Sequence, residues 1–104
     1  MNNIEGKGQK IDIELDETVA EGTYSNLAVI THSSSEFVID FVRMMPGIPK
    51  AKVKSRIVMN PEHAKRLMLA LQDNIRKFES INGNIKVDAV PPMPMNFGGP
   101  KGQA

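Results

Sequence analysis

The chain has no cysteine and only two histidines among its 104 residues. Without cysteine there are no disulfide bonds and no thiolate metal ligands, and two histidines are too few for a convincing zinc centre. No segment approaches the ~20 apolar residues of a membrane helix, and residues 1–9 lack the apolar stretch of a signal peptide. These absences predict a cytoplasmic protein with no metal, no cofactor and no membrane partner.

Charge is distributed unevenly along the chain, although its net value is only +1. Residues 1–41 carry two cations and eight acids, which is −6, whereas residues 42–77 carry nine cations and two acids, which is +7. Such asymmetry is typical either of a surface that meets an acidic partner or of two halves that pair with each other.

Four segments are predicted to be β-strands, at residues 10–16, 23–32, 36–45 and 50–59. Three of them alternate apolar and polar residues with a period of two, and the segment 23–32 is rich in threonine and apolar residues. Two prolines and a glycine in residues 46–49 require a loop between the last two strands.

A long helix is predicted from Pro61 to about Asn82, because Asn60 can cap it, Pro61 suits its first position and Gly83 can end it. Apolar residues recur on one side at spacings of three and four: Ala64, Leu67, Met68, Leu71, Ile75 and Phe78. The sequence therefore predicts an α+β fold, ββββα, in which an antiparallel four-stranded sheet precedes one amphipathic helix.

The domain is predicted to span residues 10–83, between a disordered N-terminus of residues 1–9 and a disordered tail of residues 84–104. The tail is rich in proline, methionine and glycine, which do not sustain regular structure. A domain of this size has a small core, and the apolar stripe of the helix is wider than one small sheet covers. A homodimer formed through the helix is expected.

The fourth predicted strand has the most unusual pattern in the chain, since every second residue is a cation at intervals of ~6.6–6.8 Å. These cations are Lys50, Lys52, Lys54 and Arg56. A row of this kind can neutralise the phosphates of an extended single strand, Arg43 can lengthen it, and Tyr24 can stack on a base. The row predicts a non-catalytic module that binds single-stranded nucleic acid.

The alternative is a protein-interaction or structural module whose basic row is neutralised within the sheet. If strands three and four pair so that Val42 faces Lys52, then Asp40 faces Lys54 and Glu36 lies diagonal to Arg56. Tyr24 then packs in the core or the hairpin. Both interpretations fit the sequence.

Catalysis is not indicated by any arrangement of residues. His32 and His63 stand outside any cluster of histidine and carboxylate residues, and no nucleophile elbow or phosphate-binding glycine loop is present. The sequence predicts neither an enzyme nor a small-molecule substrate.

The stretch from Glu21 to Glu79 resembles a family of small bacterial proteins known only as a domain of unknown function. The resemblance depends most on four pieces: Tyr24–Ser25–Asn26, Met45–Pro46–Gly47, the alternation from Lys50 to Arg56, and Pro61–Glu62–His63–Ala64. The resemblance implies a bacterial source and strands followed by a helix, and the family has no assigned activity or site residues to carry over. In architecture, ββββα is similar to single-stranded nucleic-acid-binding coactivator and whirly-type domains, which associate through helices.

Overall fold

The computed structural model describes residues 3–6 and 9–88, and the side chains of residues 10–88. Five strands and two helices follow one another along these residues: β1 (Asn3–Gly6), β2 (Gln9–Asp12), α1 (Glu17–Ala20), β3 (Leu27–His32), β4 (Phe37–Arg43), β5 (Lys52–Met59) and α2 (Pro61–Asn82). The strands β3, β4 and β5 form an antiparallel sheet in that order. The predicted α+β class, with an antiparallel sheet followed by a long helix, is confirmed.

The prediction of four strands in this sheet is wrong, because the sheet has three in the described part of the chain. The segment predicted as the first strand is β2 only as far as Asp12, and it pairs with β1 in a separate hairpin. Its alternation identifies a strand but not the partner of that strand. A neighbouring segment provides the partner here, since strands adjacent in sequence often pair.

The predicted domain boundary differs from the structure at its N-terminal side and agrees with the end of the helix at its C-terminal side. Residues 3–6, predicted to be disordered, form β1. The helix ends where it was predicted to end, and residues 83–88 follow it without regular structure. The predicted disorder of the tail falls mostly on residues 89–104, which lie outside the described residues.

The central strand β4 provides the buried part of the sheet, because it has a neighbour on each side. Ile39, Asp40 and Val42 are its buried residues, at 6%, 3% and 5% exposed. Ile39 lies between Ile30 of β3 and Ile57 of β5, so three isoleucines form a row across one face. Ile30 and Ile57 remain 58% and 41% exposed, and this row is therefore covered only in part.

The helix α2 begins and ends by the predicted local interactions. The Asn60 side chain accepts a hydrogen bond from the His63 N–H at 2.8 Å, and Pro61 occupies the first turn. Gly83 ends the helix with a φ of 89°, which favours glycine, and its N–H donates to the Glu79 carbonyl. None of the α2 side chains is buried. Within the described residues, no helix is both long enough and apolar enough to cross a membrane.

Candidate nucleic-acid interface

The segment before β3 is fastened to the end of β4 by two polar side chains. The Ser25 hydroxyl donates toward the Val42 carbonyl at 3.1 Å. The Asn26 amide accepts from the Met44 N–H at 2.8 Å and donates to the Met44 carbonyl at 3.0 Å. Because an asparagine side chain has a donor and an acceptor side by side, it continues the strand ladder beyond the last backbone pair.

This attachment also determines where Tyr24 lies. Two residues of extended chain span at most ~7 Å, so Tyr24 remains close to Asn26 and therefore to the end of β4 that carries Arg43. Tyr24 is 71% exposed. The alternative expectation, that this ring packs in the core or the hairpin, does not agree with that exposure. The motif Tyr24–Ser25–Asn26 thus combines two fastening residues with one exposed aromatic residue.

A β-bulge interrupts the predicted basic row. Val42 lies opposite Val53, but Phe41 lies opposite Ser55, which leaves Lys54 as an extra residue on β5. The predicted pairing of Asp40 with Lys54 is wrong, because a strand read from its alternation alone shows no sign of one inserted residue. Asp40 lies opposite Arg56.

The bulge places the cations of the row on different faces. Residues directly opposite each other in an antiparallel pair share a face, and faces alternate along a strand. Lys52 lies opposite Arg43 and Arg56 lies opposite Asp40. Since positions 40 and 43 of β4 are an odd number apart, Lys52 and Arg56 are on opposite faces of the sheet.

Four cations come together at the tip of the β4–β5 hairpin, and we call this cluster the basic hairpin end. Its members are Arg43, Lys50, Lys52 and Lys54, which line a depression of about 250 Å³ together with Met45 and Ile48. No carboxylate among residues 10–88 forms an ion pair with any of the four. The cluster is therefore a concave, positively charged surface with an apolar part.

The connecting loop gives this depression its shape. The Ile48 N–H donates to the Met45 carbonyl at 3.2 Å, and Gly47 between them has a φ of 79°. A side chain at that φ would be strained, which explains a glycine in the loop. Sequence reasoning treated residues 46–49 only as a connection, and it missed Met45 and Ile48 as lining residues. A signal for them was available in the sequence. Met45 and Ile48 are apolar, but each stands beside a proline in a loop that has no core for it to enter.

Arg56 is occupied by a different interaction. Its guanidinium donates to both carboxylate oxygens of Asp40, at 2.7 and 2.8 Å. These hydrogen bonds hold the pKa of Asp40 below its ordinary value. The Asp40 side chain is 4% exposed and that of Arg56 is 61% exposed, so the arginine covers the carboxylate from the solvent side. The structure thus separates Arg56 from the other predicted binding residues.

The two histidines take part in local contacts. His32 stacks on Phe37 with ring centroids 5.3 Å apart. In the described part of the chain, no three residues among histidine, aspartate and glutamate are close enough together to hold a metal ion.

Comparison with known proteins places the chain in a family. A family model described as a protein of unknown function (DUF3467) matches residues 1–87. No curated protein and no solved structure matches the chain. Because the family model covers most of the sequence, the chain belongs to the DUF3467 family, and the resemblance to a domain of unknown function is confirmed.

Proposed function

We propose that this DUF3467 protein is a non-catalytic module that binds single-stranded nucleic acid through the basic hairpin end. One observation carries the proposal: four cations surround one depression, and the described carboxylates leave all four unpaired. Positive charge concentrated in a concavity attracts polyanions, and lysine and arginine neutralise phosphates without regard to base sequence. Among the side chains that the structure describes, a carboxylate neutralises Arg56 and none of the other cations of the row.

A single strand suits this surface better than a duplex does. Met45 and Ile48 give the depression an apolar part, and Tyr24 presents an exposed ring at the same end of the sheet. Apolar and aromatic side chains contact the faces of unstacked bases, whereas a duplex keeps those faces inside its stack. Phosphates would lie on the four cations while one or two bases contact the apolar residues.

The proposal predicts a specific dependence of affinity on salt. Each phosphate contact on a single strand contributes ~0.7 to the slope of log affinity against log salt, so four contacts give a slope of about −2.8. Raising the salt from 50 to 200 mM should then weaken binding by roughly 50-fold. The measurement is a fluorescence anisotropy titration of labelled 20-nucleotide DNA and RNA with the full chain at both salt concentrations.

Three outcomes would contradict the proposal. One is no binding at ~10 μM protein in 50 mM salt, where non-specific affinities of this kind are detectable. The second is binding that does not change with salt. The third is displacement of the oligonucleotide by polyglutamate of equal charge at equal concentration, which would favour recognition of an acidic protein segment instead of nucleic acid.

Tyr24 provides a second prediction, which concerns bases rather than phosphates. The chain has one tyrosine and no tryptophan, so intrinsic fluorescence reports on Tyr24 alone. Stacking should quench this fluorescence when an oligonucleotide binds, and Tyr24→Ala should weaken binding by ~1–3 kcal/mol. The control Tyr24→Phe keeps the ring and should bind like the wild type. If Tyr24→Ala binds unchanged, the ring has no contact with bases.

A further inference from the structure

The helix α2 has an apolar stripe that the rest of the described chain does not cover. Along one side of the helix, Leu67, Leu71, Ile75 and Phe78 are 41%, 56%, 40% and 51% exposed. Helices in proteins gain most of their stability by packing an amphipathic face against other elements. A 22-residue helix with no buried side chain therefore lacks its principal packing partner.

The first half of this stripe forms one wall of a groove. An apolar space of about 470 Å³ separates Ala64, Leu67 and Leu71 of α2 from Ile30, Phe37 and Ile39 of the sheet. The small side chain of Ala64 leaves room between helix and sheet. Ile75 and Phe78 continue the stripe on the second half of α2 but are not among the residues that line the groove.

We infer that a second copy of this chain fills the groove, with the two α2 helices antiparallel about a two-fold axis near Leu71. Phe78 lies seven residues after Leu71 and Ala64 seven before it, while Ile75 and Leu67 lie four on either side. The partner's Phe78 then comes opposite Ala64, and the partner's Ile75 comes opposite Leu67. Large side chains from the second half of one helix therefore enter the groove that the first half of the other helix lines.

Two-fold symmetry makes this fit complete, since each groove receives the side chains of the other copy in the same way. The charges on α2 agree with it. Two ion pairs within the helix, Glu62 with Arg66 and Asp73 with Lys77, lie on the side away from the stripe. The helix pair therefore brings apolar surfaces together and leaves these charges in water.

The extent of the exposed surface favours a second copy over a shorter occupant. A specific interface buries ~800 Å² on each partner, which calls for an extended surface. A helix of 22 residues is ~33 Å long, and its stripe continues well beyond the part of the helix that lines the groove. A peptide segment seated in the groove alone would leave Ile75 and Phe78 in water. The inference does not rest on nucleic-acid binding, because none of these residues belongs to the basic hairpin end.

A cross-linking experiment tests the inference on the full chain. Because the chain has no cysteine, Leu71→Cys introduces the only thiol. At a two-fold axis this residue faces its own copy, so mild oxidation should yield a covalent dimer in most of the protein. The matched control is Leu69→Cys, which is 50% exposed but on the opposite side of α2, and which should remain largely uncrosslinked.

Sedimentation equilibrium adds a test that does not depend on oxidation. The wild type and Leu69→Asp should have the mass of two chains at ~10 μM, whereas Phe78→Asp should have the mass of one. Ala64→Phe should weaken the dimer at least tenfold, and combining it with Phe78→Ala should restore part of the loss because the large and small residues exchange places. A monomeric wild type overturns the inference, whether its groove is open or filled by residues 89–104. Equal cross-linking at positions 69 and 71 overturns it as well.

Discussion

Replacing Asp40 by alanine is expected to lower the free energy of unfolding by ~1–3 kcal/mol at neutral pH. The variant loses two charge-assisted hydrogen bonds from Arg56, at 2.7 and 2.8 Å, on the strand that carries the buried residues of the sheet. The loss stays within that range because the Arg56 side chain is 61% exposed and can be solvated by water once its partner is gone. Urea unfolding followed by circular dichroism measures it.

A matched control separates this buried carboxylate from an ordinary surface charge. Asp73 also forms an ion pair, with Lys77 at 3.1 Å, but its side chain is 52% exposed. Exposed pairs of this spacing on a helix contribute ~0.3–0.5 kcal/mol, so Asp73→Ala should change stability by no more than that. If the two variants lose equal free energy of unfolding, the Asp40–Arg56 pair stabilises the fold no more than an exposed ion pair does.

The same pair predicts how stability depends on pH. Arg56 lowers the pKa of Asp40 below the ordinary value of 3.8. A carboxylate with a lowered pKa stabilises the fold fully above its unfolded pKa, and this contribution is lost as the pH falls through its folded pKa. The difference between wild type and Asp40→Ala should therefore be constant from pH 7 to pH 5 and should shrink below about pH 4. A difference that grows in acid would contradict the assignment.

The elements that depend on neighbouring residues in sequence were predictable. The helix α2 follows from Asn60, Pro61 and Gly83, whose effects act within one turn. The strands β3, β4 and β5 follow from alternation and composition. The partner of β2 was not predictable, because alternation indicates a half-buried strand but not the strand with which it pairs.

The register between β4 and β5 could not be predicted from the sequence. The alternation from Lys50 to Arg56 is continuous in the sequence, so it predicts one basic face. Lys54 is nevertheless an extra residue opposite Phe41 and Val42, and this insertion becomes visible only when both strands are paired. It brings Arg56 directly opposite Asp40 and moves Lys52 to the other face of the sheet.

The charges of the candidate site were predictable and their arrangement was not. Arg43, Lys50, Lys52 and Lys54 were named from the sequence as binding residues. The depression between them also needs the loop turned at Gly47 and the attachment of Asn26 to Met44. The attachment of Asn26 joins segments whose relative position follows from strand pairing, which no local pattern specifies.

Reversing two charges at the basic hairpin end is expected to have the largest effect on binding. In Lys52→Glu with Lys54→Glu, two added carboxylates balance Arg43 and Lys50, so the cluster has no net charge. With a slope of ~0.7 per contact, four contacts account for roughly four-thousandfold in affinity between 1 M and 50 mM salt. The double variant should lose about that factor in 50 mM salt and most of its dependence on salt, as measured by anisotropy.

A control with the same net charge determines whether this loss is local. Arg76→Glu with Lys86→Glu also changes the net charge from +1 to −3, but both residues are exposed and neither lines the depression. If binding depends on the cluster, this variant should lose less than tenfold, since its new charges act only at a distance through screening salt. If both double variants lose affinity equally, the total charge of the protein attracts the oligonucleotide and the basic hairpin end is not its site. If only the variant in the cluster loses affinity while both unfold at the same urea concentration, the loss comes from the contact itself.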